Sequence, residues 1–159
     1  MKRKAIMKKG YFSYQKEKTK ALYDKINQIY NPYLQNQIIF NSNGFHHLRF
    51  SARKERNKKE QLLKFSLLPL AIIVIKNSGT LQEYRKGFLS MGDKARDGFW
   101  KTKLVEYWGF VAIVGKSKIK IRVVLRKVGD GIITFWSVMP YSKIKFGQRL
   151  YTPGIDDEN

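Results

Sequence analysis

Regular alternation of apolar and polar residues in the last third of the chain constrains the fold more than any other feature. Residues 104–114, 119–128 and 132–139 each follow this pattern, which is typical of half-buried β-strands. The segments that separate them, Gly115-Lys116-Ser117 and Gly129-Asp130-Gly131, carry glycines, which supply the positive φ angles that hairpin turns require. This part of the chain therefore predicts an antiparallel β-meander.

The residues before the meander give a mixed pattern. Apolar side chains recur at three- and four-residue spacing over residues 14–30, which predicts an amphipathic helix that ends at Asn31-Pro32. Ser51 precedes the basic block 52–63, so it is a candidate N-cap for a second helix. The nine apolar residues Leu67–Ile75 are rich in β-branched side chains, and their short length predicts a buried strand.

Together these elements predict an α+β fold, with N-terminal helices packed on one face of a roughly four-stranded antiparallel sheet. The other face of the sheet is then expected to be open for a ligand. Residues 81–98, with scattered glycines and alternating charges, are expected to form a loop with at most a short helix. The predicted organisation is a basic extension (1–13), one domain (14–150) and an acidic tail (151–159).

The net charge of the chain limits the classes of partner, and therefore of function, that are expected. Lysine and arginine number 32 against 12 aspartates and glutamates, so the net charge is +20. Such an excess opposes folding by self-repulsion and favours a polyanionic partner. Nucleic acid is the first candidate partner, because phosphates that are neutralised by the protein release counterions. An anionic membrane surface is the second candidate. A lysine-rich but otherwise ordinary protein is the remaining interpretation.

Two classes of protein are excluded by composition. The chain has no cysteine, which rules out disulfides, thiolate metal sites and cysteine nucleophiles. Its longest apolar run has nine residues, whereas a membrane-spanning helix needs ~20. A soluble, cytoplasmic protein is therefore expected.

His46 and His47 are the only histidines and are adjacent. Histidine titrates near neutral pH, so it is suited to proton transfer. In an extended segment neighbouring side chains point to opposite faces, so one ring is expected to be packed and the other to face a cleft. Two adjacent histidines are poorly placed to share one ion, and no metal or cofactor is predicted.

The strand 119–128 predicts a row of cations. Alternation places Lys120, Arg122 and Arg126 on one face, where arginine forks suit phosphate oxygens; a solvated outer face is the alternative. Trp136 is a candidate for stacking on a base or for the core. Alternation places Ser137 on the same face as Ile133 and Phe135, which are expected in the core. Ser137 can therefore reach a site only near the strand end or through a bulge.

Three segments together resemble the barnase–EndoU–colicin–RelE group of nucleases, in particular its phage- and mobile-element-associated branch. They are Gly44-Phe45-His46-His47-Leu48, the basic helix that follows, and the strand pair ending in Phe135-Trp136-Ser137-Val138-Met139-Pro140. The resemblance covers roughly residues 37–140. It implies helices on a four-stranded antiparallel sheet and metal-independent RNA cleavage, in which the ribose 2′-oxygen attacks phosphorus and a 2′,3′-cyclic phosphate is formed.

The resemblance also implies residue roles. His46 or His47 becomes the general base or acid, Arg122 clamps the phosphate with help from Arg126, and Ser137 orients the phosphate or a histidine. Arg49 and Arg53 hold flanking phosphates, and with Arg126 and Trp136 they make up the expected RNA-binding residues. Barnase-like members use a glutamate base that has no obvious counterpart here, and Lys94 is one candidate for the second proton-transfer group.

The implied partners are RNA and an acidic antitoxin or immunity protein. Two other hypotheses remain open at this stage. In the first, the chain is a non-catalytic RNA- or DNA-binding module that contacts the backbone only. In the second, it is a peripheral membrane protein, although its first amphipathic helix needs its apolar face for the core.

Overall fold

The computed structural model describes residues 10–52, 54–91, 94 and 96–141. Residues 1–9 of the predicted basic extension and the whole predicted acidic tail lie outside this range. The described residues form three helices and eight strands. In chain order they are α1 (Tyr11–Ile26), β1 (Gln28–Asn31), β2 (Asn36–Ile39), α2 (Ser42–Arg49), β3 (Phe50–Ser51), β4 (Lys54–Glu55), α3 (Lys58–Asn77), β5 (Glu83–Met91), β6 (Lys101–Val114), β7 (Ile119–Val128) and β8 (Ile133–Pro140).

The fold is α+β, as predicted, but the main sheet has six strands in the order β1-β2-β8-β7-β6-β5. Its pairs are antiparallel except β2 with β8, which run parallel where Ile39 faces Thr134. The predicted C-terminal meander is confirmed as β6–β8. Strands β3 and β4 form a separate two-stranded ladder.

Two strands of the sheet correct expectations drawn from the sequence. β5 lies in the segment predicted to be an irregular loop, and it forms nine antiparallel pairs with β6. β1 occupies residues assigned to the first helix, which ends at Ile26 rather than Tyr30. The helix stops because Asn27 has a positive φ of 54°, which lies outside the right-handed helical region.

The segment Leu67–Ile75 is helical, not a strand, and forms the second half of α3. The cap is Asn57, whose side-chain oxygen accepts a hydrogen bond from the Glu60 amide at 2.8 Å; Ser51 lies in β3 instead. Inward-facing residues recur at helical spacing through both halves: Lys64, Phe65, Leu67, Leu68, Ala71, Val74 and Ile75. Tertiary packing of this face outweighs the local β-propensity. Pro69 is tolerated on the exposed side of the helix.

The core is divided into two apolar clusters. The larger cluster joins helix residues such as Tyr23, Phe45 and Leu68 to the sheet residues Phe110 and Phe135. The smaller cluster is built from strand residues alone, with Val105, Tyr107, Val124 and Met139 buried at its centre. Alternation along β6 and β7 places the second cluster on the opposite face from the first. The face that was expected to be open is therefore apolar and buried at its centre.

Candidate functional site

Helix α2 contains both histidines and directs their side chains into different surroundings. Asn41 caps it by accepting a hydrogen bond from the Gly44 amide at 3.2 Å, so residues 41–44, whose composition is typical of a turn, begin a helix. Consecutive helical residues point about 100° apart; thus His47 is only 4% exposed while His46 is exposed. The expected division into one packed and one open ring is found, but on a helix rather than an extended segment.

His47, Trp136 and Arg126 form a three-layer stack. The His47 and Trp136 ring centroids are 4.3 Å apart, and the Arg126 guanidinium carbon lies 3.8 Å from the Trp136 centroid. Two groups at van der Waals distance from one ring centre overlap unless they cover opposite faces, so Trp136 is sandwiched between them. Base stacking on Trp136 would require one neighbour to move, and the tryptophan is placed to position His47 and Arg126.

A β-bulge brings Trp136 into this stack. The register between β7 and β8 shifts between Val124 and Leu125, which pair with Ser137 and Phe135 and leave Trp136 as the extra residue. A bulge re-aims side chains and interrupts simple alternation. The sequence analysis expected Ser137 to approach a site only near the strand end or through such a bulge.

Lys64 of α3 lies beside Ser137 and was missed by the sequence analysis. Its ammonium group donates to Ser137 Oγ at 3.2 Å and to the Val138 carbonyl at 3.0 Å, and both side chains are buried. In the sequence, Lys64 follows directly on the basic block 52–63 and was not singled out as a candidate. The available signal was its helical spacing with Gln61 and Leu68, which are also buried.

Gly44 allows α2 to approach β8 closely. A Cβ atom at this position would lie 2.6 Å from the Phe135 carbonyl oxygen and would also collide with the Tyr23 hydroxyl. That hydroxyl donates to the Asn41 carbonyl at 2.5 Å, and burial raises the pKa of Tyr23 above its usual range. The helix is thus held against the strand that carries Trp136.

We expect Gly44→Ala to destabilise the protein by about 1–3 kcal/mol, the usual range for an overpacked core site. Chemical denaturation of the two proteins measures the difference. Gly87→Ala is the matched control, because a Cβ there meets nothing within 4 Å. Equal losses in both variants would contradict the close approach of α2 to β8.

A cavity of about 190 Å³ adjoins the stack. Its lining contains no acidic residue and consists of Asn41, Asn43, Arg126, Val128, Gly131, Ile132, Thr134 and Trp136. Within the described chain, no carboxylate pairs with Arg126. Burial lowers the pKa of Arg126 and Tyr107 opposes this shift, but arginine stays protonated in proteins. The cavity therefore offers a cation and polar side chains to a small anion such as a phosphate group.

Arg122 does not form the open phosphate clamp that was expected. It is only 4% exposed, and its Nε donates to Glu83 Oε1 at 2.9 Å. Nη1 contacts the Met139 sulfur at 3.7 Å, and the guanidinium lies 5.0 Å from the Tyr141 ring. The predicted row of open cations is interrupted here, because this guanidinium is buried and ion-paired.

His46 and Arg49 belong to a different surface. His46 stacks on Phe50 at 4.3 Å, and Arg49 contacts Glu55 at 3.1 Å. Both line a cavity of about 570 Å³ between α1 and α2, which also contains Glu17 and other charged residues. The structure therefore does not bring these two candidates together with Arg126.

The two remaining candidates from the sequence are Arg53 and Lys94. Arg53 is outside the described residues. The Lys94 ammonium group is 6.0 Å from the Trp100 ring, before the start of β6. The structure gives it no contact with His47, and the lysine that lies beside Ser137 is Lys64.

No group of three or more histidine, aspartate and glutamate side chains in the described parts of the chain is arranged to hold a metal ion. Among the helices described above, none is both long and apolar enough to span a membrane. No family model matches the chain, and no curated protein or solved structure does so either.

Proposed function

We propose that the protein is a metal-independent endoribonuclease that cleaves RNA at the junction of α2 and β8. The observation that carries this proposal is the stack of His47, Trp136 and Arg126 beside a cavity free of acidic residues. It combines a group that transfers protons near neutral pH with a cation for the phosphate. The net charge of +20 would concentrate RNA near this site.

The proposed reaction assigns roles to His47 and Arg126, which Trp136 holds in position, and to the neighbouring pair of Lys64 and Ser137. His47 transfers a proton to or from the reacting ribose and phosphate oxygens. The 2′-oxygen gives its proton to His47 and attacks the adjacent phosphorus; the bond between phosphorus and the 5′-oxygen breaks, the His47 imidazolium returns the proton to that oxygen, and a 2′,3′-cyclic phosphate remains. Arg126 stabilises the negative charge that develops on the phosphorane, a contribution that preorganised cations make efficiently. Lys64 positions Ser137 at the rear of the site.

This proposal retains the resemblance to the barnase–EndoU–colicin–RelE group. The strands comparable to that group's four-stranded sheet would be β5–β8, which are consecutive and antiparallel. The resemblance further suggests cytoplasmic RNA as substrate and an acidic antitoxin or immunity protein as a partner. Arg122, paired with Glu83, would support the sheet rather than contact phosphate.

The first test is incubation of the purified protein with total RNA in EDTA, followed by end-group analysis. We expect cleavage without added metal, with 2′,3′-cyclic phosphate and 5′-hydroxyl ends, since the site supplies its own cation. Cleavage that EDTA abolishes, or 5′-phosphate ends, would contradict the proposed reaction. A double His46→Ala, His47→Ala variant prepared in parallel excludes a contaminating nuclease.

Burial of His47 favours a second candidate, a non-catalytic RNA-binding module. With 4% exposure, His47 reaches a ribose only if Trp136 or Arg126 shifts when RNA binds. Without that shift, the cations would bind the backbone alone, with an affinity that falls steeply with salt. Tight, salt-sensitive binding without cleavage by the wild-type protein would establish this module instead.

A further inference from the structure

The hairpin of β5 and β6 carries exposed aromatic side chains that no part of the proposed reaction uses. β5 is an edge strand of the sheet, and Phe88 at its centre is 74% exposed. Tyr84 on the same strand and Trp100, just before β6, are about half exposed. Exposed aromatic side chains that are grouped on one element indicate an interaction surface. We call residues 83–90 and 100–106 the hairpin arm.

Tyr84, Lys86 and Phe88 lie on one face of the arm. They alternate along β5 and pair with Trp108, Glu106 and Leu104 of β6. At about 3.4 Å per residue, the two aromatic side chains start about 14 Å apart, with the lysine between them. This spacing leaves room for each ring to receive a separate base of one extended strand.

Neighbouring contacts hold this face in place. The Tyr84 hydroxyl donates to Glu106 Oε1 at 3.2 Å, and the Tyr84 ring lies 5.9 Å from that of Trp108. Lys86 Nζ is 4.0 Å from the same Glu106 oxygen. Both side chains are thus oriented on the strand while their outer surfaces stay accessible.

The charge of the arm indicates the kind of partner. Lys86 lies between the two aromatic side chains on their own face, and three further exposed cations, Arg85, Lys101 and Lys103, lie on the opposite face of the arm and add to its positive charge. Glu106 contacts only Lys86 among them, and Glu83 is engaged by Arg122. A second copy docking edge to edge would bring Arg85 and Lys86 against like charges, a device that discourages strand pairing. A polyanion with flat, stackable groups satisfies both the charge and the rings.

We propose that the hairpin arm binds single-stranded RNA, with bases stacked on Tyr84 and Phe88 and the phosphate between them contacted by Lys86. This inference rests on RNA being the substrate and adds a second contact that holds the strand outside the cleavage site. Aromatic rings interleaved with cations form such platforms, and their sequence tolerance suits a docking surface. Duplex RNA, whose bases are already stacked, is expected to bind the arm poorly.

The test compares four variants by fluorescence anisotropy with labelled oligouridylate, and by cleavage in EDTA. We expect Phe88→Ala to weaken binding about tenfold, within the range for one lost base stack. Phe88→Leu keeps an apolar side chain but loses the π face, so it should weaken binding nearly as much, whereas Phe88→Tyr should bind as the wild type does. Ile113→Ala is the matched control. Like Phe88, Ile113 is an exposed apolar residue, but it lies at the end of β6 that is distant from the arm.

The outcomes separate this inference from the proposed function. Weaker binding of the single strand by the Ala and Leu variants, with slow cleavage still detectable at high protein concentration, supports the arm. Unchanged binding in both variants overturns it, even if the wild-type protein cleaves RNA. Wild-type protein that binds no RNA overturns both proposals. Binding lost in Ala but retained in Leu overturns base stacking and indicates an apolar protein partner instead.

Discussion

Replacing His47 with alanine is expected to lower the single-turnover rate of RNA cleavage by about 10²–10⁴-fold, the usual contribution of a positioned general acid or base. The imidazole is held against Trp136, which itself contacts Arg126, so it is the histidine near the cation proposed to bind phosphate. Measurement at saturating protein isolates the chemical step from RNA binding. RNA affinity should change little, because Arg126 and the exposed cations remain.

The adjacent histidine provides the control. His46 is exposed and stacks on Phe50 at 4.3 Å, away from the Trp136 stack, so His46→Ala is expected to retain most of the rate. His47→Gln fills much of the space left by the ring and separates a packing defect from a lost proton-transfer group. A large rate loss in His46→Ala with full activity in His47→Ala would move the site to the cavity between α1 and α2.

The sequence predicted the meander well because the signal there is local. In β7 every second residue packs in the larger cluster, from Ile121 to Leu125, so the period of two is visible without any tertiary information. Gly115 and Gly129 have φ angles of 78° and 55°, which confirms the turns that their type predicted. β7 has the predicted bounds, Ile119–Val128.

The elements that were predicted wrongly depend on contacts distant in sequence. The apolar run Leu67–Ile75 is compatible with a strand or a buried helix, and only the continuation from Asn57 through Lys64 decides for α3. The apolar residues of β5 do not alternate regularly with polar ones, so no period of two marks the segment as a strand. Its strand character comes from β6, which local composition does not reveal.

The candidate site shows the same division. Residue types identified His47, Arg126, Trp136 and Ser137, since each offers suitable chemistry. Their grouping depends on the bulge in β8 and on the close approach at Gly44, neither of which alternation predicts. Arg122 illustrates the converse, because its ion pair is with Glu83, from a segment predicted to be a loop.

Glu83→Ala is expected to destabilise the protein by about 3 kcal/mol, the lower end of the range for breaking a buried ion pair. The Arg122 side chain is 5% exposed and that of Glu83 is 26% exposed, so the 2.9 Å contact is only partly screened by water. Removing the carboxylate leaves the buried guanidinium without the anion that compensates its desolvation. Urea-induced unfolding at neutral pH and constant ionic strength measures the change.

Asp24→Asn is the matched control, because Lys20 and Asp24 form an ion pair at 2.7 Å in which both side chains are about half exposed. Such surface pairs contribute at most about 1 kcal/mol, so this variant should unfold at nearly the same urea concentration as the wild type.

The same two variants, Glu83→Ala and Asp24→Asn, also test the role of Arg122. If Arg122 stabilises the sheet, Glu83→Ala loses stability but cleaves RNA normally wherever it is folded. If instead Arg122 clamps phosphate, freeing it from Glu83 should strengthen RNA binding, and a small stability loss with tighter binding would contradict the structural role.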